Sequence, residues 1–110
     1  MVEGLWTVEF ISTMNLFGNG VLVLSNNRLL GGDAGYYYSG QYNINNGNIS
    51  GEVKVTRYDE KSISVFGDTP QFSLVFRGKL VDDYNFDAIA EFKGNSNLKI
   101  KLKCKKKEDI

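Results

Sequence analysis

The residues able to do chemistry are few in this chain, and their spacing narrows them further. There is no histidine, which removes imidazole metal sites and histidine acid–base catalysis together. The acidic neighbours Asp59-Glu60, Asp82-Asp83 and Glu108-Asp109 fall in turn-like or terminal stretches, where two carboxylates facing each other across a cleft are not expected. The segment from Asp82 to Asp87 lacks the glycine and distal glutamate of a calcium loop. The single Cys104 can form neither an internal disulfide nor a thiolate cluster. Alternation turns it away from Lys103 and Lys105, so a buried, inert thiol is expected. Gly31-Gly32-Asp33-Ala34-Gly35 is glycine-rich, but Tyr36-Tyr37-Tyr38 follows where a phosphate loop needs a helix, and no Gly-Lys-Ser/Thr occurs. It reads as an irregular turn, its glycines supplying unusual backbone angles and Asp33 capping backbone N–H groups. No catalytic residue, metal site or cofactor is expected.

The elements that must position these residues are strands. The chain has 110 residues, one domain's worth, with 42% hydrophobic residues. Period-2 alternation dominates: Trp6, Val8 and Phe10; Tyr36 and Tyr38 with Gly40, Tyr42 and Ile44; Ile49, Gly51, Val53 and Val55; Phe72, Leu74, Phe76, Gly78 and Leu80; Phe86, Ala88, Ala90 and Phe92; Leu98, Ile100, Leu102 and Cys104. Val21 to Leu24 is a short apolar run. Breaks at Ser25-Asn26-Asn27, Asn45-Asn46-Gly47-Asn48, Asp82-Asp83-Tyr84-Asn85 and Gly94-Asn95-Ser96-Asn97 carry turn residues. Asp59 to Pro70 lacks alternation and reads as a longer crossover, with a single helical turn around Ser62 to Phe66.

No amphipathic helix is present to cover an apolar sheet face, and closure removes exposed edges. The expectation is therefore an all-β protein: a small antiparallel up-and-down, lipocalin-like β-barrel of about seven or eight strands. Residues 1–105 form the barrel and 106–110 a charged, fraying C-terminal tail. A barrel of this size is either filled or holds one small ligand. The candidate cavity lining is Trp6, Phe10, Tyr38, Tyr42, Phe72 and Phe76. In a strand Tyr36 and Tyr38 face inward and Tyr37 outward, an arrangement suited to polar handles inside and a contact surface outside.

Charge is balanced overall but not along the chain. Residues 1–92 hold 6 basic and 11 acidic side chains, whereas residues 93–110 hold 7 lysines and 2 acids. Lys99, Lys101, Lys103 and Lys105 share an outward face that Lys106 and Lys107 extend, and no aromatic residue interleaves to stack bases. A solvated strand guarded against aggregation is expected, with no direct nucleic-acid binding. No apolar run is long enough for a membrane span, and Met1-Val2-Glu3-Gly4-Leu5-Trp6 has neither the basic nor the apolar region of a secretory signal. With one cysteine besides, the expected compartment is the cytoplasm.

Taken together, Gly4-Leu5-Trp6-Thr7-Val8, Leu30-Gly31-Gly32-Asp33-Ala34-Gly35-Tyr36-Tyr37-Tyr38-Ser39-Gly40, Val55-Thr56-Arg57-Tyr58 and Ser64-Val65-Phe66-Gly67-Asp68 resemble the GrlR family of negative regulators of type III secretion. The resemblance runs in order through most of the chain, and its motif residues are Gly31, Gly32, Asp33, Gly35, Tyr36, Tyr37 and Tyr38. It implies a lipocalin-like barrel without enzyme activity and a homodimer. It further implies repression of transcription through binding a regulatory protein, a helix-turn-helix activator, and a cavity able to hold a lipophilic molecule. The type member's Glu-Asp-Glu-Asp stretch serves activator binding. The matching hairpin here, Asn43-Ile44-Asn45-Asn46-Gly47-Asn48, has no acid, so no partner-binding residue carries over.

Overall fold

The alternating runs become eight antiparallel strands. The computed structural model describes residues 2–64 and 69–110 and arranges them as β1 (Gly4–Ser12), β2 (Phe17–Ser25), β3 (Arg28–Gly32), β4 (Tyr36–Asn45), β5 (Asn48–Arg57), β6 (Gln71–Asp82), β7 (Asn85–Phe92) and β8 (Asn95–Asp109). Each strand pairs with the next and β8 pairs with β1, closing the barrel in meander order. No helix is long and apolar enough to cross a membrane among the described residues.

Turn chemistry sorts the two ends. Asn26 (φ 49°) and Asn27 (φ 66°), then Asn46 (φ 52°) and Gly47 (φ 79°), take the paired positive-φ conformation of the tightest hairpins. Asp83 and Tyr84 make the third short link, held by the Tyr84 N–H donating to Asp82 Oδ1 at 2.8 Å. All three lie at one end, with both chain termini. The opposite end carries the longer connections, residues 13–16, 33–35 and 58–70, together with the Lys93-Gly94 turn. That turn sits just ahead of the expected Gly94–Asn97 break, because Asn95, Ser96 and Asn97 already belong to β8.

Other expectations need correction. Residues 106–109 are strand rather than a fraying tail, since Trp6 pairs with Lys106, Leu5 with Glu108 and Gly4 with Asp109. Lys106 follows Lys105 in ordinary alternation and stands opposite the inward Trp6, so it leaves the lysine row; the bulge between Leu5 and Trp6 comes after it, at Lys107. Its side chain is nearly buried, and its ammonium lies 2.5 Å from Asp109. The Asp109 carboxyl is held below its ordinary range by that hydrogen bond and charge. In the β5–β6 crossover, residues 59–62 form a turn in which the Ser62 N–H donates to the Asp59 carbonyl at 3.0 Å. Ser62 and Ile63 are not helical and Ser64 makes an isolated bridge; the rest of the expected helical turn, Val65 and Phe66, lies outside the described residues.

The inward positions pack one core. Trp6, Leu24, Ile49 and Cys104 are the largest of its fully buried side chains. Trp6 stands 4.9 Å from Phe86, ring centre to ring centre, and its indole N–H donates to the Val2 carbonyl at 2.8 Å. Small residues admit large neighbours on the curved wall: the Phe76 ring lies over Gly51, where a Cβ would come within 2.8 Å of it.

Candidate functional site

The sequence fills one half of the barrel and leaves the other half hollow. Towards the tight-turn end, Trp6, Leu24, Tyr42 and Ile49 are buried in the core and do not border the cavity. Above them aliphatic residues, among them Val8, Leu22, Val53 and Ile100, and the rings of Phe10, Phe72 and Phe76 surround a cavity of about 310 Å³. This lies at the lower bound of small-molecule sites. Phe86 and Cys104 contribute to its deeper wall. Towards the long-loop end, Tyr36, Phe72 and Phe92 form an aromatic row, with ring centres 6.2 Å and 5.1 Å apart and the second pair stacked. Phe17 and Ile63 also line the cavity while 76% and 68% exposed, so the space reaches the surface past an apolar rim.

The polar side of this mouth is built by the Asp33 turn. One carboxylate oxygen accepts the N–H groups of Gly35 (3.0 Å) and Tyr36 (2.9 Å), while the Asp33 N–H donates to the Tyr36 carbonyl at 2.9 Å. The other oxygen accepts the Tyr38 hydroxyl. Tyr58 closes over the turn, its hydroxyl donating to the Asp33 carbonyl at 2.5 Å and its N–H to the Gly35 carbonyl at 2.9 Å. The Tyr38 phenol is pushed well above its ordinary value, first by burial and then by the Asp33 carboxylate it serves, so it remains a donor. The Tyr36 hydroxyl donates to the Thr69 carbonyl at 2.9 Å. Burial, with Asp87 adding to it, pushes the Cys104 thiol up to about 12, which leaves it protonated and unreactive at neutral pH.

Of the expected lining residues, Phe10, Tyr38, Phe72 and Phe76 do line the cavity. Trp6 and Tyr42 do not: both are buried in the filled half, because their registers lie beside the tight turns. Tyr42 is held there by the Asn27 side-chain amide donating to its carbonyl at 3.1 Å. Asp33, read from sequence as a turn cap, and Tyr36, read as a strand residue on the Tyr38 face, also line the cavity, and Tyr37 faces outward.

The glycines act differently from the expectation. Gly31, Gly32 and Gly35 do not have positive φ; they are small because space is short. A Cβ at Gly31 would collide with the Val21 carbonyl, and one at Gly35 with the Ser62 hydroxyl. Sequence reasoning did not single out Asn19, Ser62, Ser64 or Tyr58. They converge only because the β2 start and the β5–β6 crossover meet over the Asp33 turn, and no local pattern marks that.

The outer surface divides by strand. On β2 to β4, Val21, Val23, Leu30 and Tyr37 form an exposed apolar face, joined through the registers Val23–Leu30, Val21–Gly32 and Gly32–Tyr37. On β8, Lys99, Lys101, Lys103 and Lys105 are exposed as expected, but acids on neighbouring strands intersperse them. Asp87 and Glu9 both stand opposite Lys103, and Glu91 contacts Lys99 (3.9 Å) and Arg77 (3.4 Å). Among the described residues, no three His, Cys, Asp or Glu side chains gather as a metal ligand set.

Comparison with known proteins bears on the fold. No family model matches the chain, and no curated protein does. A solved structure of a redesigned beta barrel is similar at a TM-score of 0.68 and 11% identity, over 97% of this chain and 92% of that one. The likeness shows a small antiparallel eight-stranded barrel.

Proposed function

We propose that this protein is a non-catalytic barrel that binds one small, mostly apolar molecule inside its open half. The observation that carries the reading is the 310 Å³ cavity itself: apolar walls, one built polar turn and an opening to the surface. A core packed only for stability does not leave such a space, because an unfilled cavity costs about 24 cal/mol per Å³ relative to a packed one. A water's share of liquid volume is about 30 Å³, so the space suits roughly ten non-hydrogen atoms. The test is native mass spectrometry of protein purified from its own source, before and after denaturation. A small molecule released in one-to-one amount is the expected result. An empty barrel that also takes up no added alkanol overturns the reading.

A second reading rests on a separate observation, the exposed face of Val21, Val23, Leu30 and Tyr37, with Tyr37 48% exposed. Such a face suits a protein contact. It supports the cytoplasmic regulatory role implied by the GrlR resemblance, in which the barrel binds a transcriptional activator or a second copy of itself. Ligand occupancy and partner binding are compatible if one biases the other. For this reading, Tyr37→Ala loses partner binding with an unchanged melting temperature; retained binding removes the face from consideration.

A further inference from the structure

The ionisable side chains among the described lining residues are Asp33, Tyr36, Tyr38 and Cys104, and none of them is a cation. Tyr38 and Cys104 hold their protons, which leaves Asp33 as the formal charge on the wall. Its partners are two backbone N–H groups and a phenol, so its negative charge is hydrogen-bonded but not neutralised. A carboxylate accepts about four hydrogen bonds, and three are in place. The nearby guanidinium of Arg57 is not part of the lining and donates to the Ser62 carbonyl at 3.3 Å.

From this we infer the ligand class: the cavity selects neutral or cationic amphiphiles, alcohols and amines, and rejects carboxylates, with Asp33 anchoring the head group at the mouth. The inference rests on the proposed ligand-binding reading and adds its specificity. An alcohol donates its O–H to the remaining Asp33 lone pair while its chain runs down the apolar wall towards Phe86. An ammonium does the same and adds charge pairing. A carboxylate head meets the like charge of Asp33, and three hydroxyl donors around the mouth are committed: Tyr38 to Asp33, Tyr36 to Thr69 and Ser62 to Asp59.

Calorimetric titration of the whole protein at neutral pH with 1-decanol, decylamine and decanoate tests this, because the three share one tail length. Expected is one-to-one binding of the alcohol and the amine, with decanoate at least tenfold weaker. Binding of all three should weaken in Leu22→Trp, whose indole takes up part of the cavity. Asp33→Asn keeps an acceptor for the turn and should narrow the gap between amine and acid at least tenfold. If that variant does not fold, Tyr38→Phe serves instead: it frees one Asp33 oxygen and should tighten the amine selectively. Equal binding of all three, or tightest binding of decanoate, overturns the inference while the ligand-binding reading stands. Failure of all three to bind overturns both.

Discussion

At the end of the barrel closed by Asn26-Asn27, Asn46-Gly47 and Asp83-Tyr84, short turns join the strands around the buried Trp6, Leu24, Tyr42 and Ile49. At the other end the connections are longer, and Asp33 and Tyr38, hydrogen-bonded to each other, line the space that remains. Both halves share the same eight strands and the same alternation. What differs is the length of the links at each end and how the inward side chains are arranged: buried among one another at one end, standing around a space at the other.

The largest way to break this comparison is Trp6→Ala. The indole is fully buried against Phe86, and its loss should cost about 3–5 kcal/mol, enough to threaten folding of a domain this size. Thermal unfolding followed by circular dichroism measures it. A small shift would mean that the filled half does not carry the stability.

A sharper contrast uses two leucines on one strand and one face. Leu24 is in the filled half and Leu22 lines the cavity. Leu24→Phe should destabilise by about 1–3 kcal/mol through overpacking. Leu22→Phe should change stability by less than about 1 kcal/mol, since the ring enters empty space. Similar melting temperatures for the two variants would erase the distinction between the halves.

A further effect is read only at alkaline pH. Tyr38 and Cys104 keep their protons in the folded state to higher pH than in the unfolded chain. The unfolded state therefore binds fewer protons as pH rises, and stability falls. For Cys104 the loss runs from its ordinary value near 9 to about 12, and for Tyr38 it begins near 10, each group contributing at most about 1.4 kcal/mol per pH unit. Tyr38→Phe should flatten the decline above pH 10 in denaturant titrations. An unchanged slope would show that the phenol at the mouth titrates freely and that the turn is open to water.

The sequence by itself determined the strands, their inward faces and the barrel. Period-2 alternation leaves one apolar face per strand, and without a helix to cover it the sheet has to close on itself. It also determined two tight turns through Asn26-Asn27 and Asn46-Gly47, and the capping role of Asp33, because these are local chemistry. The tertiary structure alone decided which inward residues meet and which stand apart. Trp6 and Phe10 occupy equivalent positions in the alternation, yet one plugs the barrel and the other lines a cavity, because depth along the axis is set by register and by which links lie above. Charge followed the same rule: the lysine-rich last strand, unbalanced along the chain, is neighboured by Glu9, Asp87 and Glu91 once β8 pairs with β1 and β7. Alternation tells a side chain which way to face; only closure tells it what it faces.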